Sequence, residues 1–169
     1  RLANGLTLLM VERHQTPVVS INLTLGVGGI NEHTGVTGIA HLYEHMAFKG
    51  TETLGTKDYE RERPHLMKLD QLNAALEQAR ASQASDSLSL PAQPSTVDSP
   101  AVQELREAFR QAQERAGEWV ISNEMSLLYQ RHGAIGLNAA TSKDVTRYTV
   151  SLPANRLPLW ALIESDRMA

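Results

Sequence analysis

Two histidines and a glutamate lie close together in the segment GIAHLYEHMAFKG, at His41, Glu44 and His45. Residues four apart on a helix project from the same face, so the two imidazoles could bind one zinc ion, each at about 2.0–2.1 Å. Glu44 would lie beside them, where a carboxylate can take a proton from a water molecule near the metal. The residue types and their spacing therefore indicate a hydrolytic zinc site.

The alternative is that three polar residues lie together by accident, which should happen in about one of a hundred sequences of this kind. The surrounding residues argue against it, because the segment from Gly38 to Phe48 is otherwise mostly small and apolar. Such a segment predicts a largely buried helix, in which unpaired polar groups would be costly. A metal site is favoured over a solvated helix face.

The composition is that of a globular protein: of 169 residues, 41% are hydrophobic and 21% are charged. A net charge of −3 offers no basic surface for nucleic acid, and no apolar run reaches the roughly 18 residues of a membrane span. The lack of cysteine excludes disulfides and thiolate metal sites. Because the chain begins with Arg1 and shows no signal peptide, its compartment is unknown; a bacterial periplasmic or secreted location is one hypothesis.

The elements that must position the cluster begin with two predicted strands, at residues 6–12 and 18–25, separated by the turn-like HQTP. We expect these strands to form an antiparallel pair. The run GVGGINEHTGVTG lacks the Gly-Lys-Ser/Thr of a phosphate loop, so a flexible approach to the next helix is the simpler interpretation. That helix starts near Thr37, carries the cluster and ends at Lys49-Gly50.

Residues 57–123 have a different pattern, with apolar side chains at alternating spacings of three and four in two segments. This pattern predicts an antiparallel helical hairpin, with ordinary core packing in one larger domain as the open alternative. The Ser/Pro-rich residues 82–100 predict a mobile connector between the two helices. The seam residues are Leu66, Leu69, Leu72, Leu76, Ala79, Val102, Leu105, Phe109, Ala112, Ala116 and Trp119.

The last part of the chain predicts a short helix, then a strand within residues 135–152, and a final helix that starts at Pro153. The final helix reaches the last residue without a stop signal. We therefore expect residues 1–169 to be one N-terminal domain that is cut at its C-terminal end. The residues expected on one face of the strand are Arg147, Thr149 and Ser151.

Three segments resemble the pitrilysin family, which includes insulin-degrading enzymes and mitochondrial processing peptidases. GVTGIAHLYEHMAFKGT resembles the family's metal helix and contains H-x-x-E-H, the signature of the inverzincins. IGLNAATSKDVTRY resembles the family's Asn-Ala-x-Thr-Ser segment, and LANGLTLLMVER with INLTLGVGGINE resembles its first two strands. The resemblance covers everything except the helical-hairpin region.

The resemblance implies an α+β fold, a mixed β-sheet covered by helices, with residues 57–123 as an inserted hairpin. It implies that His41 and His45 are zinc ligands and that Glu44 is the general base. The family's third ligand is a glutamate on a later helix, after the Asn-Ala-x-Thr-Ser segment, and the resemblance places it beyond Ala169. Five other residues are not chosen as the third zinc ligand, because of their position in the chain or their residue type. They are Glu118, Glu124, Glu164, His65 and His132.

Asn138, Ala139, Ala140 and Thr141 match the strand edge that pairs with an extended substrate in the family. Main-chain hydrogen bonds along such an edge give affinity without strict sequence choice. The family usually has an aromatic residue where this chain has Ala140, so a side-chain pocket is opened or lost here. A simple turn into a buried strand is the alternative for this segment.

The resemblance implies a zinc metalloendopeptidase that acts on peptide or unfolded protein substrates. A second half of the same protein, or a paralogous subunit, would close the cleft. Two alternatives stay open: a non-catalytic paralogue with a structural or substrate-holding role, and a zinc hydrolase of a non-peptide substrate. Inactive paralogues typically lose the His-Glu-His residues, which this chain retains. The peptidase is the interpretation adopted, with no nucleic-acid partner and no membrane span.

Overall fold

The computed structural model describes residues 1–88 and 98–168, and the side chains of all of these except residues 84–88. The predicted α+β class is confirmed, since helices occur together with a small antiparallel sheet. Within this described part, no helix is both long enough and apolar enough to cross a lipid bilayer. The helices are α1 (Ile39–Met46), α2 (Tyr59–Leu88), α3 (Pro100–Gly117), α4 (Glu124–Arg131) and α5 (Leu157–Arg167), and the strands are β1 (Val18–Leu25), β2 (Ile135–Thr141) and β3 (Thr146–Pro153).

The chain divides into two compact units. The first combines Arg1–Lys49 with Met125–Ala169, and the second is Gly50–Glu124. The second unit nearly coincides with residues 57–123, which the sequence predicts to be a helical hairpin. That this unit is an insertion relative to the family stays a prediction.

The sheet of the first unit has the strand order β1-β3-β2. Both pairings are antiparallel, so the predicted mixed sheet is wrong for the described residues. The central strand, β3, alternates between a buried face and a more exposed face, because successive side chains of a strand point to opposite sides. Arg147, Thr149 and Ser151 lie on the more exposed face, as predicted. The buried face contains Thr146, Tyr148, Val150 and Leu152.

The predicted strand at residues 6–12 is wrong, and so is its pairing with β1. These residues form no strand, and their side chains are exposed, with Leu9 at 89%. β1 pairs instead with β3, which is distant in sequence. Strand propensity describes how well side chains fit a half-buried pleated surface, and no such surface lies beneath this segment in the described chain.

The single strand predicted within residues 135–152 is a hairpin of two strands. β2 and β3 are joined by a turn in which the N–H of Ser142 donates to the carbonyl of Val145 at 2.8 Å. The carbonyls of Ser142 and Lys143 accept hydrogen bonds from the glycine-rich run after β1, at 3.1 and 2.8 Å. A side chain at Gly28 would lie 2.4 Å from the Ser142 carbonyl oxygen, so this close approach requires glycine. The glycine-rich run is thus packed against the hairpin, contrary to the flexible approach that we predicted.

The second unit is built on α2 and α3, which contact each other and run antiparallel. At one end, the ring of His65 stacks on Trp119 with 6.5 Å between the centroids, and Arg61 lies 5.9 Å from the same ring. At the other end, the side chain of Gln83 accepts a hydrogen bond from the N–H of Ser99 at 3.1 Å. These two ends fix the antiparallel direction of the helices.

The buried part of the α2–α3 contact comes largely from the predicted seam. Among the seam residues, Leu66 is exposed and the others are buried or partly buried. α2 extends to Leu88, so residues 82–88 of the predicted connector are helical, while residues 89–97 lie outside the described residues. The buried seam residues are Leu72, Leu76, Val102 and Ala116.

Candidate metal and catalytic site

The two histidines of the cluster lie next to each other on α1. The Nε2 atoms of His41 and His45 are 3.1 Å apart, and their ring centroids are 4.6 Å apart. Two nitrogens bound to one tetrahedral zinc would be separated by about 3.4 Å, so this pair fits two corners of a zinc site. Both histidines are exposed and accessible to a metal. Their role as ligands stays a prediction.

The helix that carries the cluster is less buried than the sequence predicts. Only Ala40 and Glu44 of α1 are buried. The apolar side chains of α1 that point away from Ala40 and Glu44 are not covered by another helix or strand of the described chain. The prediction of a largely buried helix is therefore wrong, whereas the burial of Glu44 itself is consistent with a specific role for this carboxylate. The exposed apolar residues of α1 are Ile39, Leu42, Tyr43 and Met46, each more than half exposed.

Glu44 contacts the strand segment that the sequence linked to the same site. Its side chain is 7% exposed, and its Oε2 accepts a hydrogen bond from the hydroxyl of Thr141 at 2.5 Å. These two residues are 97 positions apart in the chain. The structure thus brings one of the four predicted substrate-binding residues to the predicted base.

The predicted substrate segment forms most of β2, an edge strand of the described sheet. The side chains of Asn138 and Ala140 are exposed, whereas those of Ala139 and Thr141 are partly buried. Since alternate residues of a strand share a face, Ala139 lies on the same face as Thr141, which bonds Glu44. One edge of β2 pairs with β3, and the other edge has no strand beside it in the described sheet. Substrate pairing along that edge stays a prediction.

Glu32 holds the N-terminal end of α1, although it lies six residues before the N-cap. Its carboxylate oxygens accept hydrogen bonds from the backbone N–H of Gly38 at 2.7 Å and of Ala40 at 2.9 Å. The N–H of Gly38, followed by that of Ala40, lowers the pKa of Glu32 below its usual 4.5. A carboxylate at this helix end is also favoured by the helix dipole.

Sequence reasoning did not find Glu32, because an N-cap is normally sought in the residue just before a helix. That residue is Gly38, which has a φ of 90° and no side chain with which to cap. Glycine at position 38 was the one sign in the sequence, because a residue without a side chain cannot cap the helix and another residue must then accept from the free N–H groups.

We expect Glu32→Gln to weaken the start of α1, because the Gln side chain has one oxygen acceptor and can serve one of the two N–H groups. The folded-state pKa of Glu32 lies below 4.5, so its stabilisation is complete above that value and is lost as pH falls through the folded pKa. Hydrogen-exchange protection of the Gly38 and Ala40 amides, followed from neutral pH downward, should fall in the wild type but less in the variant.

Glu104→Gln is the matched control, because Glu104 is exposed on α3 and loses the same charge. Protection of the two amides should be unchanged in this control. Equal protection in Glu32→Gln and the wild type at neutral pH would contradict the cap.

The C-terminal end of α1 is held by aromatic and cationic contacts. The ring of Phe48 lies 5.9 Å from that of Tyr148 on β3. The guanidinium of Arg167 on α5 lies 4.2 Å from the Tyr148 ring and 5.4 Å from the Phe48 ring. Cation–π contacts of this kind are stronger where they are shielded from water, and the Arg167 side chain is 3% exposed. Helix α1 is therefore anchored at both ends.

No group of three His, Cys, Asp or Glu side chains in the described chain could hold a metal ion. Glu164, which the sequence set aside, is buried, accepts a hydrogen bond from the hydroxyl of Tyr129 at 2.8 Å and pairs with Arg167. Burial, and then the charge of Glu164, raises the pKa of Tyr129.

Glu124, another glutamate that the sequence did not choose as a ligand, accepts a hydrogen bond from the N–H of Gly55 at 2.6 Å. Both carboxylates therefore have structural partners.

Comparison with known protein families gives a match between residues 7–78 and the model of the insulinase family, Peptidase family M16. The matched residues include α1 with His41, Glu44 and His45. They also include the start of α2, in the second unit.

Curated relatives match over shorter stretches. The chain is 49% identical over 57 residues to an uncharacterized zinc protease of Rickettsia bellii, and 36% identical over 61 residues to the zinc protease PqqE of Helicobacter pylori. These matches cover 34% and 36% of this chain, and 14% of each relative. It is 40% identical over 52 residues to the insulin-degrading enzyme of Drosophila melanogaster, covering 31% of this chain and 5% of that protein. The matched parts of this chain are thus a small share of each relative.

One solved structure, a protease from Helicobacter pylori, aligns with 90% of this chain and 21% of its own. The TM-score is 0.49 and the sequence identity is 20%.

Proposed function

We propose that this chain, whose residues 7–78 match the model of the insulinase family, Peptidase family M16, carries the catalytic helix of a zinc-dependent metalloendopeptidase. The observation that carries the proposal is on α1, where the Nε2 atoms of His41 and His45 lie 3.1 Å apart and the same helix carries the buried Glu44. The names of the relatives, two zinc proteases and an insulin-degrading enzyme, support peptide-bond hydrolysis.

In the proposed reaction, His41 and His45 hold the zinc ion together with a third ligand outside the described residues. Zinc, when bound, supplies a Lewis acid that lowers the pKa of a water molecule and polarises the scissile carbonyl. Glu44 takes one proton from the water as the water oxygen bonds to the carbonyl carbon. Glu44 then gives this proton to the amide nitrogen as the C–N bond breaks, so that an amine and a carboxylic acid are released. The second proton of the water stays on the carboxylic acid, which loses it to solvent at neutral pH.

The substrate in this proposal is an extended peptide or unfolded protein that pairs with β2. The edge of β2 not paired with β3 offers main-chain donors and acceptors along Asn138–Thr141. Its end at Thr141 is joined to Glu44 by a hydrogen bond, which brings this edge close to the base. A second half of the protein, or a paralogous subunit, completes the cleft in this proposal.

We expect the full-length protein that contains this chain to cleave a quenched fluorescent peptide, and to lose that activity when a zinc chelator is added. Restoring zinc should restore cleavage, because the proposed reaction depends on the metal. Metal binding without peptide cleavage would instead favour a hydrolase of another substrate class. Neither binding nor cleavage would favour a non-catalytic paralogue.

A further inference from the structure

We propose that Thr141 is a positioning residue, which holds the carboxylate of Glu44 through Oε2 and leaves Oε1 as the oxygen that takes the proton from water. This inference rests on the proposed function, since it concerns the base of that reaction. It gives the side chain of Thr141 a role different from the substrate contact that the sequence predicts. The main chain of Thr141 stays available to the substrate edge of β2.

The contact between the two side chains distinguishes the two oxygens of Glu44. The hydroxyl of Thr141 donates to Oε2 at 2.5 Å. Within the described part of the chain, Oε1 accepts no hydrogen bond. In that part, the side-chain atoms that are both shielded from solvent and without a partner belong to Arg167, so Oε1 is not fully shielded. Oε1 is therefore the carboxylate oxygen that no described side chain or backbone group holds, and it has some access to solvent, although the residue as a whole is 7% exposed.

A count of hydroxyl protons gives the direction of this contact. Thr146 lies opposite Thr141 across the β2–β3 pairing, and their hydroxyl oxygens are 3.3 Å apart. The hydroxyl of Thr146 donates to the carbonyl of Val27 at 2.9 Å, and each hydroxyl has one proton. With the Thr146 proton committed to Val27, the Thr141 proton is free to go to Glu44. The Thr141 hydroxyl is therefore the donor of this contact, and Oε2 of Glu44 is the acceptor.

The position of the Thr141 hydroxyl is set by three features of the fold. Thr141 is the last residue of β2, next to the turn that is closed by the Ser142–Val145 hydrogen bond. Its branched Cβ restricts χ1. Its neighbour across the ladder, Thr146, is 4% exposed. Such a rigid donor can fix the rotation of the Glu44 carboxyl group, which is otherwise a broad and nearly free torsion.

The test compares hydroxyl-free and hydroxyl-bearing variants of the full-length, zinc-loaded protein. Thr141→Val keeps the shape of the side chain and should lower kcat by about 10- to 100-fold with little change in KM or zinc content, because one hydrogen bond to a charged group is lost. Thr141→Ser should recover most of kcat. Thr24→Val is the matched control, since Thr24 is an exposed β1 threonine whose hydroxyl bonds the side chain of Asn22, and it should not change kcat.

A double-mutant cycle shows whether Thr141 acts through Glu44. In a Glu44→Gln background, Thr141→Val should cause little further loss, because the base that it positions is already absent. A full additional loss in that background would overturn the proposal. So would an unchanged kcat in Thr141→Val, or an equal loss in Thr141→Ser.

Crystal structures of the metal-free variants give a second readout that does not depend on activity. The Glu44 carboxyl group should be displaced or disordered in Thr141→Val and in place in Thr141→Ser; an unmoved carboxyl group in both would overturn the positioning role. Thr141→Ala removes the same hydroxyl if Thr141→Val fails to fold. A wild type without zinc-dependent cleavage would instead contradict the proposed function, while these structures would still decide the role of Thr141.

Discussion

Replacing Glu44 by Gln is expected to lower kcat of the full-length, zinc-loaded protein by about 100-fold or more, the usual scale of general-base catalysis. Its zinc content should stay nearly unchanged, because the two imidazoles of α1 are not altered. The Gln side chain keeps an oxygen that can accept the Thr141 hydrogen bond, so the local packing should survive. The amide cannot take a proton from water at neutral pH, which removes the proposed chemistry and little else.

Steady-state kinetics together with metal analysis measures both parts of this prediction. Glu104→Gln, the same change at an exposed position on α3, should leave kcat and zinc content at wild-type values. A joint loss of zinc and activity in Glu44→Gln would show that Glu44 is a ligand or a structural residue. The assignment of the base would then be wrong.

Zinc titrated into the 169-residue chain by calorimetry is expected to bind weakly, with a Kd above about 1 μM. The described residues offer the His41–His45 pair and no third side chain of a metal-binding type beside it. Two neutral imidazoles leave the charge of the dication uncompensated, whereas a third, carboxylate ligand would offset one unit. Residues 1–169 alone should accordingly show no peptidase activity, and the full-length protein should bind zinc tightly.

Two histidine variants make this titration specific. His41→Ala should abolish the weak binding, while His14→Ala, at a position whose side chain is 89% exposed, should not change it. Submicromolar, one-to-one binding by the wild-type chain would mean that a third ligand lies within residues 1–169. Glu118 and Glu124 would then be the first candidates, and the placement of the third ligand beyond Ala169 would be abandoned.

The strands show where local pattern was sufficient for the fold and where it was not. β1 and the alternating faces of β3 follow from runs of apolar and β-branched residues. Residues 6–12 have the same kind of pattern, yet they form no strand and remain exposed. A strand needs a partner and a surface to cover, and neither is encoded in the segment itself.

The sequence by itself determined the cluster on α1, because the spacing of His41 and His45 places them on one face of any helix. It also determined the antiparallel α2–α3 pair, whose seam repeats every three or four residues. Only the tertiary structure decided which side chains hydrogen-bond to α1. Glu32 accepts from the free N–H groups at its start, and Thr141 donates to the carboxylate of Glu44. The physical reason is range, since helical periodicity acts over neighbouring turns, whereas a hydrogen bond between residues 97 positions apart depends on how the sheet and α1 pack.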